Sequence, residues 1–249
     1  MTGAAPAAPV PVPSPAPGIG VLEAIVGTFT KPSETFGRLV ARPTWWLPFV
    51  LSVVIGTLAY AAASPKVDVE RAIRDSIERS GHTVSDSAVQ QRVAFMEKWS
   101  TAFVAVFAIA AAVFFFVVSL AFWGGARVMG ADARYAQLLA IWAHSSLPFV
   151  VSGLISIPLF LRERDSSLTQ DQAQRVLASH LGAFVDDSAP AAVRALASSV
   201  DVFSIAVLFL LVLGFRRLPG LSKGAATWTP VVLWGLAVAA KVTWKAVMG

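Results

Sequence analysis

Cysteine is absent from the 249 residues. That excludes a disulfide framework and any thiolate metal site. Charge is scarce: 14% of residues are Asp, Glu, Lys or Arg, against about 25% in a soluble globular domain. No GxSxG, HExxH, Walker or dinucleotide fingerprint occurs, and Ser, His and Asp are scattered without triad order. No enzyme, metal or cofactor is therefore expected. A basic cluster interleaved with stacking aromatics is missing too, which argues against nucleic acid as a partner.

Apolar residues fill the space. They make up 56% of the chain, with a mean hydropathy of +0.67, and they come in long blocks. Five blocks read as membrane spans, at about 45–63, 101–123, 136–161, 200–215 and 227–247. Four of them approach or exceed the roughly 20 residues needed to cross hydrocarbon. The block at 200–215 is shorter and closed by Arg216-Arg217. It extends outward through Val193 to Ser199 or crosses a thinned region.

An Ala/Pro-rich segment, 1–18, precedes these spans. It has no charged side chain and too little apolar bulk for a core, so it is expected to be disordered. It lacks the basic start and apolar centre of a signal peptide. Next, Leu22, Ile25, Val26 and Phe29 recur at helical spacing. In KPSETFGRLVARPTWWLPF, Ser33 is placed to cap a short helix, and Glu34 and Arg38 are spaced to pair. Pro43 ends that helix. The expectation is an amphipathic pair lying in the lipid interface. Phe29, Lys31, Phe36, Arg38, Leu39, Arg42, Trp45 and Trp46 are the candidate lipid-interface residues. Packing against the protein's own helices is the competing reading.

Basic residues set the expected orientation. Lys31, Arg38, Arg42, Arg127, Arg134, Arg216, Arg217 and Lys223 face only Glu23, Glu34 and Asp132 on one side. The segments 65–100 and 162–199 on the other side are nearly balanced. The tail side is thus expected inside and the C-terminus outside. Apolar stripes (Val69, Ala72, Ile73, Ile77; Val89, Val93, Met96; Ala173, Val176, Leu177, His180-Leu181) suggest a small helical cap on the outer face.

Few polar side chains fall at membrane depth. Asp201 and Lys241 each lie 14 residues from the inner end of a span, about 21 Å along a helix. They form a candidate intramembrane pair, read either as an ion-coupled site or as a cap and a snorkelling lysine. Nearness to the interface favours the second. His144, Ser145 and Ser146 precede Pro148 and Pro158 in the third span. They line a cavity or join helices by hydrogen bonds, the commoner arrangement.

The order and spacing of several motifs resemble the YIP-type (Rab-interacting) multi-pass membrane protein family in its bacterial form. They are KPSETFGRLVARPTWWLPF at Lys31 to Phe49, Gly124-Gly125, YAQLLAIWAHSSLPFVVSGL at Tyr135 to Leu154, and SSVDVFSIAVLFLLVLGF at Ser198 to Phe215. The resemblance implies an all-α membrane protein over 19–249, a bundle of five transmembrane helices with an inside N-terminus. Eukaryotic relatives are associated with Rab-type GTPases and membrane shaping, but the tail carries no motif that transfers a partner. The expected function is a non-enzymatic membrane scaffold of a bacterial cell membrane. Its expected partners are an anionic inner leaflet and an unidentified membrane or cytosolic protein. The alternative is a transporter or channel for a small or lipidic solute. The oligomeric state stays open.

Overall fold

A computed structural model describes residues 18–79, 83–164, 167–169, 172–173, 176–177, 179–185 and 189–248. Nearly all of the expected tail lies outside the described residues. Among those described, the secondary structure is helical, with two isolated β-bridges and no named strand. Four helical segments are long and apolar enough to cross a membrane: Trp46–Lys66, Ser100–Val128, Tyr135–Arg162 and Lys223–Trp244.

Two short helices open the described chain, α1 (Val21–Thr30) and α2 (Pro32–Ala41). Lys31, not Ser33, is the N-cap of α2. Pro32 takes the first helical position, where its missing N–H costs nothing, so Ser33 sits two residues too far along to cap. Helix α3 (Trp46–Ala63) starts after Pro43 and runs into a 3-10 turn at Ser64–Lys66. A helical hairpin follows, α4 (Val69–Arg79) and α5 (Asp86–Lys98). Helix α6 (Ser100–Val128) has 29 residues, about 43 Å, so it overshoots a hydrocarbon core of roughly 30 Å.

The third expected span is two helices, α7 (Tyr135–Ser145) and α8 (Leu147–Arg162). Ser146 joins them and Pro148 follows, and a proline cannot donate the hydrogen bond that would carry the helix on. Helix α7 is the centre of the molecule. Leu138, Leu139, Ala140, Ile141 and Ala143 are all buried, among side chains of α6, α2 and the fourth apolar helix. That helix, α10 (Val202–Phe215), follows a short α9 (Ala191–Ala197); α11 (Lys223–Met248) closes the chain.

Close approaches fix these contacts. A Cβ built at Gly214 of α10 would lie 2.5 Å from Ile141 Cγ2 of α7, and one at Gly153 of α8 would lie 2.7 Å from Ile55 Cγ2 of α3. The loops after α6 and α10 touch through Asp132 N–H donating to the Pro219 carbonyl, 2.9 Å. Gly220 permits this approach: its φ is +77°, and a side chain there would meet the Gly130 carbonyl at 2.8 Å.

At the other end, backbone bridges tie the connecting segments to the helix ends. Asp68 N–H donates to the Leu168 carbonyl, Leu168 N–H to Lys66, and Leu181 N–H to Val200. The helical stripe expected through Ala173 to Leu181 is not a continuous helix, because His180 is extended, bridged to Asp201. Residues 174, 175 and 178 of that stripe lie outside the described residues. In the α4–α5 hairpin Val89 is buried, while Phe95 and Met96 are exposed.

Candidate functional site

The amphipathic pair divides its apolar residues between two surroundings. On α1, Leu22, Val26 and Phe29 share a face and are 72%, 60% and 51% exposed. On α2, Phe36 and Leu39 are wholly buried. They belong to the same core as Leu138, Leu211 and Phe215, so they are removed from the lipid-interface set. The apolar stripe of α2 is covered by the protein; that of α1 is not.

Polar contacts hold the two helices in this pose. Arg38 donates to Glu23 of α1 at 2.9 Å and to Glu34 of its own helix at 2.8 Å. Gln137 of α7 donates its side-chain N–H to the Val40 carbonyl at 2.8 Å, which fastens α2 to the bundle centre. Gly27 leaves room for the Thr35 hydroxyl; a Cβ there would collide with it. A groove of about 500 Å³ runs between the helices, lined by Leu22, Val26, Lys31, Glu34 and Arg38 among others.

Of the remaining interface candidates, Lys31 and Arg42 are exposed and Trp46 is 54% exposed. Trp45 instead turns inward, with its ring edge-on to Phe49 at 5.9 Å and to Phe116 at 5.8 Å.

Asp201 and Lys241 share one corner of the bundle without bonding each other. Asp201 caps α10: its Oδ1 accepts from the backbone N–H groups of Phe203, 2.8 Å, and Ser204, 2.9 Å. Ser204 Oγ donates to its other oxygen. Lys241 donates to Ser198 Oγ at 3.1 Å and Ser199 Oγ at 3.0 Å. The lysine thus holds the turn just before the helix that the aspartate begins.

His144 and Ser145 are fully enclosed, and Ser146 nearly so. His144 Nδ1 lies 3.0 Å from the Ala140 carbonyl. A carbonyl only accepts, so Nδ1 carries the proton and Nε2 presents a lone pair. Nε2 and Ser145 Oγ have no hydrogen-bond partner among the described residues. Ser146 Oγ donates to the Ala143 carbonyl at 2.9 Å and lies 3.3 Å from Ser52 Oγ of α3. No group of three metal-ligating side chains occurs among the described residues.

Sequence reasoning missed three of these ties. They are the contact of Ser52 with Ser146, the bond from Gln137 to Val40, and Ser198-Ser199 as the partners of Lys241. A lone amide or hydroxyl in an apolar stretch was the available signal, because hydrocarbon penalises it unless it finds a partner.

Comparison with known proteins gives a relative and a family. The chain is 26% identical over 216 residues to "Membrane protein YknW" of Bacillus subtilis (strain 168), covering 86% of this chain and 87% of that protein. No solved structure matches. The Yip1 domain profile matches residues 26–242, from within α1 to within α11, and the chain belongs to that family of membrane proteins.

Proposed function

We propose that this protein is a non-enzymatic integral membrane scaffold, with α1 resting in the cytoplasmic lipid–water boundary. The bundle is five spans, the fourth being α9 and α10 taken together, and the α4–α5 hairpin with the α9 region forms a small cap. One observation carries the reading. Leu22, Val26 and Phe29 are exposed, while Ala24 and Thr28 on the opposite side of α1 are buried and Glu23 on its flank is anchored to Arg38. A helix fixed on its polar edge and bare on its apolar face has the form of an interfacial helix. Its bare face would be costly in water.

The absence of cysteine makes single-cysteine labelling direct. A fluorophore on Phe29→Cys, in full-length protein reconstituted in nanodiscs, is expected to be quenched by lipids brominated near the headgroup. Quenching only by a water-soluble agent would overturn the reading. The transport alternative requires a path to His144. Its complete enclosure and the hydroxyl contact between Ser52 and Ser146 support helix packing instead.

A further inference from the structure

Charge at the tail-side end of the bundle is unevenly spent. Arg38, expected to attract anionic lipid, is held between Glu23 and Glu34. Arg127 lies 3.6 Å from Asp132. Those are the three carboxylates of this end. Lys31, Arg42, Arg134, Arg216, Arg217 and Lys223 have no carboxylate partner among the described residues.

Two of these arginines stand at the end of α10, next to the start of α2. Arg217 is exposed and donates one N–H to Ser33 Oγ. Lys31 stands two residues before Ser33. Arg216 donates to Thr227 Oγ1 at 3.1 Å, one turn from Lys223. A guanidinium has five donors, and the Ser33 hydroxyl occupies one on Arg217. The planar fork is thereby oriented while most of its donors stay available, which suits two-point binding of a phosphate. Exposed Phe29 and Trp228 flank the group along the chain, as aromatic residues do at the headgroup level.

We propose that Arg217, with Lys31 and Arg216 beside it, binds the phosphate of an anionic phospholipid headgroup, and that Arg38 does not. This rests on the reading of α1 as an interfacial helix. It adds a location and a ligand class: a phosphodiester bearing net negative charge.

The test uses full-length protein in nanodiscs of phosphatidylcholine with a minor fraction of phosphatidylglycerol. Lipid retained on mild detergent extraction is counted by native mass spectrometry. Wild type is expected to retain phosphatidylglycerol preferentially. Arg217→Gln is expected to lower that preference about fivefold, as loss of one surface cation would. Arg217→Lys keeps the charge without the fork and is expected to fall between them. Arg92→Gln, on the outer hairpin, makes the same charge change and is expected to leave retention unchanged. If Arg217→Gln is not monodisperse, Lys31→Gln carries the same comparison. Equal loss in Arg217→Gln and Arg92→Gln overturns the proposal. So does competition by millimolar inorganic phosphate as effective as that by the lipid, which would mark a free-anion site. An immersed Phe29 label with no phosphatidylglycerol preference overturns this inference alone; a water-exposed label overturns the reading beneath it.

Discussion

Single residues decide how closely these helices approach, and two glycines make opposite cases. Gly214 of α10 faces Ile141, and an added Cβ would sit 2.5 Å from Cγ2 and 3.2 Å from Cγ1. Gly56 of α3 has nothing within 4 Å of its would-be Cβ. Gly214→Ala should therefore cost about 1–3 kcal/mol, the range for overpacking a filled core. Gly56→Ala should be neutral or slightly favourable, because alanine is the better helix former. Thermal unfolding in detergent reads both. Adding Ile141→Ala to Gly214→Ala removes both clashing carbons. The double variant should then be more stable than the sum of the two single losses predicts. Simple additivity would mean that the glycine is not a contact residue. Neither environment was legible in the sequence. A small residue in an apolar run looks the same whether it meets another helix or lipid, since both surroundings are apolar.

At the scale of elements, some helix ends were legible and faces were not. Pro43, Pro148 and Arg216-Arg217 mark where helices break and end, because each changes what the backbone or the interface can satisfy. Phe36 and Leu39 obey the same 3.6-residue period as Leu22, Val26 and Phe29. The period says that a stripe needs covering but not what covers it, and the core claims one stripe and leaves the other bare. Polar pairing is more readable where water is near. In the α4–α5 hairpin Arg74 donates to Glu70 through Nε at 3.0 Å and a terminal nitrogen at 2.8 Å, and bridges to Asp86 at 2.9 Å. The Arg74 hydrogen bond holds the Glu70 carboxyl below its ordinary value of 4.5, with Gln90 assisting. A depressed carboxyl adds stability above its unfolded pKa and loses it as pH falls through the folded one. Protection factors across α4 and α5, corrected for the intrinsic pH dependence of amide exchange, should therefore fall in acid, below about pH 4.5, and hold level between pH 6 and 8. Arg74→Gln should flatten that acid response. An unchanged profile would show that the contact leaves the hairpin's opening equilibrium unaffected. Both partners are exposed, so the effect should be confined to the hairpin.

For the whole molecule, the question is how many times the chain crosses and which end faces the cytosol. The loop after α6 and the loop after α10 are bonded through Asp132 and Pro219, and α2 is tied to the start of α7 through Gln137. These parts therefore share one end. Lys241 lies 18 residues beyond Lys223, about 27 Å along α11, and there it meets Ser198 and Ser199. That length is close to the roughly 30 Å of a hydrocarbon core. Helix α10 has only 14 residues, but the turn before it meets Lys241 of α11, so a crossing made by α9 and α10 together is the expectation to test. Five crossings put the two termini on opposite sides; four would put them together. The end rich in unpaired Lys and Arg should be cytoplasmic. With no native cysteine to remove, a membrane-impermeant maleimide applied to intact cells settles both points. Cysteines placed at Ser85 and Gly249 should be labelled, and those at Gly18 and Ser222 only after permeabilisation. The opposite pattern would invert the protein while keeping the bundle. Protection of Gly18 and Gly249 alike would mean that α10 turns back within the bilayer, with Lys241 and its serines holding a re-entrant helix instead of the end of a span.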